Sequence, residues 1–195
     1  MLPGKGYHGL TQLPYRTNNQ FKQWVKGTFL TTLTDAHVNK IAELYPQDVT
    51  KGSPFNTGIL NALTPQFKRL AAFQGDGVFQ APRRWFLKYT AGKQPVWSYV
   101  SRKFKALPIL GSTHATDLVN SFFLGQEMQE HVIRFTNKLD PNVGGLFRPN
   151  WPQYTTSGKD LLEYSDGLVS LSLTKDNYRE KEMEYLVEVT LENPV

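Results

Sequence analysis

Leu107-Pro108-Ile109-Leu110-Gly111-Ser112-Thr113-His114-Ala115-Thr116-Asp117 is the stretch on which the reading of this chain turns. An apolar run stops at a glycine. Three residues on comes a histidine, and three further a carboxylate. Short and bounded by Pro and Gly, the run predicts the end of a buried strand or the approach to one. Gly111 permits a sharp turn without steric penalty. Leu118, Val119, Phe122 and Phe123 follow at helical spacing, so Thr113 or Thr116 is expected to cap a helix. His114 then falls on a strand-to-helix loop, where a rigid scaffold often carries reactive groups. Spacing alone fits a structural or surface histidine as well.

Outward from this segment, hydrophobic periodicity predicts mostly helices. Phe21, Trp24, Val25 and Phe29 mark one from about Asn18; Val38, Ile41, Ala42 and Tyr45 mark a second, capped by Thr34 and ended by Pro46. Thr64-Pro65 predicts an N-cap with Pro at the first helical position, ahead of Phe67, Leu70, Ala71 and Phe73. Gly75-Asp76-Gly77 is expected to interrupt that helix. Another runs from Asp76 to Tyr89, with a kink or offset start at Pro82. Val96 to Lys103 alternates and carries β-branched and aromatic residues, predicting a strand. After the His114 loop, Gly125 is expected to break the helix, and Met128, Val132 and Phe135 mark the next. Leu168 to Leu173 predicts a strand and Tyr178 to about Leu191 a charged terminal helix. Residues 1–16 read as irregular. So few strands cannot stand alone as a sheet, which implies part of an α/β domain with much of its sheet elsewhere.

The 195 residues, 39% of them hydrophobic, suffice for one sizeable core. Lys and Arg outnumber Asp and Glu by 22 to 17, a net charge of +5 mixed in sign along the chain, which speaks for solubility more than for an acidic partner. With no cysteine, thiolate chemistry and disulfides are excluded. His8, His37 and His131 lack ligand partners at metal spacing, so neither a metal nor a cofactor is expected. Met1 to Gly6 lacks a signal-like apolar core, and no run reaches transmembrane length. Lys68-Arg69, Arg83-Arg84 and Lys88 with Trp85 and Phe86 could form a basic, aromatic nucleic-acid surface, but so few basic residues read as solvated helix faces, and no nucleic-acid partner is expected.

Gly111-x-x-His114-x-x-Asp117 after Leu107-Pro108-x-Leu110 resembles the catalytic-histidine segment of the type-B carboxylesterase and lipase family, in its fungal and yeast lipase branch. Tyr45-Pro46-Gln47-Asp48, Gly52-Ser53-Pro54-Phe55-Asn56-Thr57-Gly58 and Leu60-Asn61-Ala62-Leu63-Thr64-Pro65-Gln66-Phe67-Lys68-Arg69 resemble the same branch. So do Gly75-Asp76, Arg83-Arg84, Trp97-Ser98-Tyr99, Leu139-Asp140-Pro141-Asn142 and Trp151-Pro152-Gln153-Tyr154, in the order expected for the C-terminal portion of such an enzyme. The likeness runs from about Thr11 to near the end.

The resemblance implies an α/β class and the C-terminal part of an α/β-hydrolase fold, mostly helices with a few late sheet strands, with residues 1–195 one partial domain. It makes His114 the general acid–base residue of a serine esterase, with Asp117 and Gly111 supporting its loop and Val78 and Phe79 in the wall that holds the acyl chain. Thr113, Gln74 and Gly77 depart from the larger apolar residues common in that family. No Gly-x-Ser-x-Gly elbow and no Gly-rich oxyanion loop occur in the chain. Where the family's triad acid would lie upstream, the chain reads Gly6-Tyr7-His8-Gly9. The expectation is therefore a C-terminal fragment of a carboxylic-ester hydrolase, acting on ester or lipid small molecules in the intact enzyme and inactive by itself. A non-catalytic esterase-like binding module is the alternative, separable by an in-frame serine elbow upstream. Phe21, Trp24, Phe67, Phe73, Phe79, Trp85, Phe122 and Phe123 are expected to lose part of their burial.

Overall fold

A computed structural model describes residues 14–29, 31–124, 126–146 and 149–193. Of the expected irregular stretch 1–16 only 14–16 fall among these, and they are non-helical; Gly125 lies outside them. The chain divides into two compact units, Met1–Phe86 with Arg179–Val195, and Leu87–Tyr178.

The first unit is helical. Helix α1, Asn18–Trp24, opens on a capping box: Thr17 Oγ1 accepts from the Gln20 amide at 3.2 Å while Gln20 Oε1 accepts from the Thr17 amide at 3.0 Å. A π-helical turn, Val25–Phe29, continues it. Helix α2, Asp35–Leu44, takes its cap from Thr34, as its sequence predicts. Helix α3, Phe67–Gly75, does not start on Thr64, whose hydroxyl donates to the Tyr15 carbonyl instead; Gln66 is the N-cap, with no side-chain cap bond.

Nor do Gly75-Asp76-Gly77 interrupt the helix. The backbone passes through them in a π-helical turn, Asp76–Gln80, and on into α4, Ala81–Thr90. The wide turn closes with the Ala81 amide on the Asp76 carbonyl, immediately before Pro82, which has no amide to give and whose ring would crowd a regular helix.

Aromatic side chains from α1, α3 and the C-cap of α2 close this unit's core. The Phe73 ring meets Phe21 at 5.9 Å, Trp24 at 6.0 Å and Tyr45 at 5.5 Å, all edge-to-face. Helix α7, Glu180–Glu192, is more than a solvated charge run: Met183, Leu186 and Val189 on one face are buried. Phe21, Trp24, Phe67 and Phe73 are at most 6% exposed, contrary to expectation, whereas Phe79 and Trp85 at 41% are open.

Lys68 and Arg69 are not a solvated face either. Lys68 Nζ, at the end of a buried side chain, donates to Thr57 Oγ1, Gly58 O and Leu60 O. Arg69 bonds to Tyr45 O, Ala42 O, Asn18 Oδ1 and Gln66 Oε1 and lies over the Phe21 ring. These long side chains buckle the loops to α3 from inside, which a charge-and-period reading places on the surface. Gly52 is needed here, because a Cβ would collide with the Lys68 backbone carbonyl.

The second unit holds a three-stranded sheet, order β1-β2-β3. Strand β1, Tyr99–Ser101, pairs parallel with β2, Asp160–Tyr164, and β2 pairs antiparallel with β3, Leu171–Lys175. The predicted Val96–Lys103 strand shrinks to three residues. The predicted Leu168–Leu173 strand shifts along the chain, leaving Leu168 and Val169 exposed. Successive residues of central β2 face opposite sides. Leu162 and Tyr164 pack with Met128, Trp151 and Leu171, and Leu161 packs with Leu87 and Tyr154. Helix α5, Thr116–Val119, runs through a π-helical turn, Asn120–Leu124; α6 is Gln126–Lys138. Phe122 at 64% and Phe123 at 76% are exposed, as expected.

Candidate functional site

His114 lies in the second unit, after β1 and immediately before α5, with its side chain exposed. It occupies the second position of a four-residue turn. The Thr113 carbonyl accepts from the Thr116 amide at 3.1 Å and from the Thr116 hydroxyl at 2.7 Å. Ala115, the third position, has φ +71° and ψ −1°, values a type II turn requires there. Ala115 is also the N-cap of α5, and no side chain caps the helix, so neither Thr113 nor Thr116 plays the expected role.

The approach to this turn is not a strand. Residues Leu107 to Leu110 form turns, and Leu107, Ile109 and Leu110 are exposed. Phe104, Ile109, Gly111 and Ala115 have φ of 65°, 70°, 58° and 71°. Glycine takes that conformation freely; a β-branched isoleucine rarely does. Left-handed non-glycine residues cost of order 1–3 kcal/mol each and persist where surrounding bonds over-determine them. Here the Gly111 amide donates to Leu107 O at 3.1 Å and the Ser112 hydroxyl to Lys103 O at 2.7 Å.

Asp117 ties this loop to the sheet. The Tyr99 hydroxyl on β1 donates to Asp117 Oδ2 at 2.9 Å, and the Ser121 hydroxyl donates to the Asp117 carbonyl at 2.8 Å. The Tyr99 ring meets Trp151 at 5.8 Å and Tyr164 at 5.7 Å, both edge-to-face. Behind them the Tyr164 hydroxyl and His131 Nδ1 are 2.7 Å apart. Burial and the neighbouring Asp117 carboxylate push the Tyr99 phenol up. Burial, then the nearby Arg134, push the buried His131 imidazole below its ordinary value.

Val78 and Phe79 fall in the first unit, on the π-helical turn between α3 and α4; Val78 is half-buried. Gly111, His114 and Asp117 share one loop of the second unit. The same π-helical turn carries a group that pattern reading missed. Asp76 is 1% exposed, accepts from the Tyr45 hydroxyl at 2.9 Å, and takes both Arg179 Nε at 2.7 Å and Nη2 at 2.5 Å. The Arg179 guanidinium also stacks on Phe55 at 3.8 Å. Separations of 31 and 103 residues hide these pairs from any local signal. Among the described residues no group of three His, Asp or Glu side chains could hold a metal, and no helix is long and apolar enough to cross a membrane.

No family model matches the chain. It is 41% identical over 177 residues to Lipase 4 of Diutina rugosa, 37% over 168 residues to Lipase 1 of Geotrichum candidum and 34% over 190 residues to Secreted lipase 1 of Botryotinia fuckeliana. The alignments take in 87%, 84% and 91% of this chain but 31%, 29% and 32% of those proteins, so the chain spans about a third of its relatives' length. The solved structure of Aspergillus niger EstA superposes with a TM-score of 0.74 at 15% identity, over 93% of this chain and 37% of that one, a likeness of fold.

Proposed function

The chain belongs to the lipase and esterase family of α/β-hydrolases and matches the C-terminal part of its fungal and yeast members, and from that premise we propose that it is the portion of a carboxylic-ester hydrolase that supplies the proton-transferring histidine, His114. The observation that carries the reading is the placement of His114 on an exposed turn between a sheet strand and a helix, inside a segment matched to lipases. The imidazole takes the proton from a serine hydroxyl supplied by another part of the enzyme as that oxygen attacks the ester carbonyl. It then returns the proton to the departing alkoxide. The nucleophile and the donors that stabilise the tetrahedral oxyanion come from outside this sequence, which has no Gly-x-Ser-x-Gly. Val78 and Phe79 supply apolar surface for the acyl chain, the two compact units belong to one partial domain, and the substrates are ester or lipid small molecules. Gly111 lets the chain turn ahead of the histidine, and Asp117 holds its helix.

The test is a chimera in which this chain replaces the matching C-terminal segment of a yeast lipase relative, assayed on p-nitrophenyl butyrate. His114→Ala is expected to cut kcat by roughly a hundredfold to ten-thousandfold, the range of acid–base catalysis by one side chain. An active chimera indifferent to His114→Ala refutes the assignment. The chain by itself is expected to show no turnover above its His114→Ala form.

A further inference from the structure

We propose that Tyr99 is the positioning residue of His114, acting through its hydroxyl on Asp117 to fix the turn that presents the imidazole; as a role in catalysis this rests on the assignment of His114 above. Within the turn the bonds are local, from the Thr116 amide and hydroxyl to the Thr113 carbonyl. Helix α5 is four residues long, begins at left-handed Ala115, and has no side-chain cap. Of its first-turn amides, Thr116 donates to the Thr113 carbonyl at 3.1 Å and Leu118 to the Ala115 carbonyl at 3.2 Å and Asp117 Oδ1 at 3.1 Å, so they are satisfied within the segment itself. What ties it to the sheet is the 2.9 Å contact of Tyr99 with Asp117 Oδ2, with Ser121 bonded to the Asp117 carbonyl behind it.

Tyr99 itself cannot shift easily. Its ring is wedged edge-on between Trp151 and Tyr164. The Trp151 indole donates to the Ser98 carbonyl at 3.0 Å, its backbone amide donates to Asn142 Oδ1, and Tyr164 is linked to His131. A rigid aromatic post thus carries one hydroxyl to one carboxylate, three residues from the histidine. That carboxylate takes neutral donors among the described residues, and the hydroxyl orients it.

The experiment uses the chain itself, with histidines carbon-13 labelled at Cε1 and the His114 signal identified by its loss in His114→Ala. Tyr99→Phe is expected to move the His114 ring signal and to speed amide exchange at Thr116 and Leu118 by up to about tenfold, the equivalent of one net hydrogen bond. Asp117→Asn, which keeps an acceptor for Tyr99, is expected to hold the exchange rates near the parent's. Tyr45→Phe, the same deletion at the other tyrosine–aspartate bond, controls for general loosening and is expected to leave the His114 signal in place. An unmoved His114 signal in Tyr99→Phe, or an equal movement in Tyr45→Phe, overturns the proposal. In the chimeric lipase, Tyr99→Phe should lower kcat several-fold with KM held. If the chimera ignores His114→Ala, the catalytic assignment fails while the labelled chain still decides whether Tyr99 positions the imidazole.

Discussion

Two helices of this chain begin in the same unusual way and are secured by opposite means. Both α7 and α5 start at a left-handed residue, Arg179 with φ 44° and Ala115 with φ 71°, and neither has a side-chain cap. Each is accompanied by a tyrosine that donates to an aspartate at 2.9 Å. In the first unit that aspartate, Asp76, is buried and neutralised by a two-pronged arginine that is itself stacked on Phe55. In the second unit Asp117 is half-buried and takes only neutral donors among the described residues. A fully compensated charge in a closed core serves stability. A half-buried carboxylate three residues from His114, held by a sheet tyrosine, serves to fix a turn.

Breaking the first arrangement should give the largest effect. Arg179→Met strips Asp76 of its cation and leaves a buried carboxylate with one hydroxyl, a loss of about 3–5 kcal/mol. Asp117→Asn at the other helix should cost about 1 kcal/mol or less, since a partly solvated group loses only part of its charge-assisted bond. Chemical denaturation of both variants measures the contrast. Equal losses would mean that the two pairs serve the same purpose.

Closure of the apolar core separates the units in a second way. Phe73 is enclosed by three aromatic rings, whereas Leu118, Phe122, Phe123, Ile133, Leu139 and Leu146 in the other unit are exposed. Phe73→Ala should lose about 3–5 kcal/mol. Phe122→Ser with Phe123→Ser should change stability by only about 0.5 kcal/mol while sharply reducing the fluorescence of a bound hydrophobic dye. Unchanged dye signal in the double variant would place the open apolar surface elsewhere.

Sequence periodicity could see part of this contrast. The 3.6-residue pattern placed α2, α6 and α7 well, because each buries one stripe. It missed β2 because Leu161 and Leu162 are both buried, on opposite faces of a strand covered on both sides, so no alternation survives. It took Leu107 to Leu110 for buried strand because apolar character does not reveal that a segment lies open in turns. The Arg69 anchor and both tyrosine–aspartate bonds escaped it because most of their partners lie 18 or more residues away, and the Lys68 anchor because its partners are loop oxygens 8 to 11 residues earlier that no period marks. His114 and Asp117 stood out through their family motif, whereas the bond Asp117 takes from Tyr99, 18 residues earlier, shows only in the structure.

The aromatic post behind Asp117 should make the second unit acid-sensitive. His131, whose neighbours are Tyr164, Glu127, Glu130 and Arg134, binds a proton less readily when folded than its ordinary value of 6.5 allows. The unfolded chain then takes up protons first, so stability is full above that value and declines as pH falls through and below it. Thermal unfolding between pH 7.5 and 5 should show a falling midpoint, and His131→Gln should flatten the slope. A slope unaltered by that substitution would assign the acid sensitivity to other groups.

The smallest effect tests the left-handed starts themselves. Alanine in that conformation costs roughly 1–2 kcal/mol because its Cβ crowds the following carbonyl. Glycine removes that penalty but adds about 0.4–1 kcal/mol of backbone freedom to the unfolded chain. Ala115→Gly should therefore be neutral to stabilising, by at most about 1 kcal/mol. At the start of α7 the same relief of strain cannot be had alone, because Arg179→Gly also removes the guanidinium that Asp76 requires, and the loss of that partner dominates. Paired denaturation curves should move in opposite directions for the two substitutions. If Ala115→Gly also destabilises by more than about 1 kcal/mol, then Ala115's methyl group has a packing role that outweighs its strain.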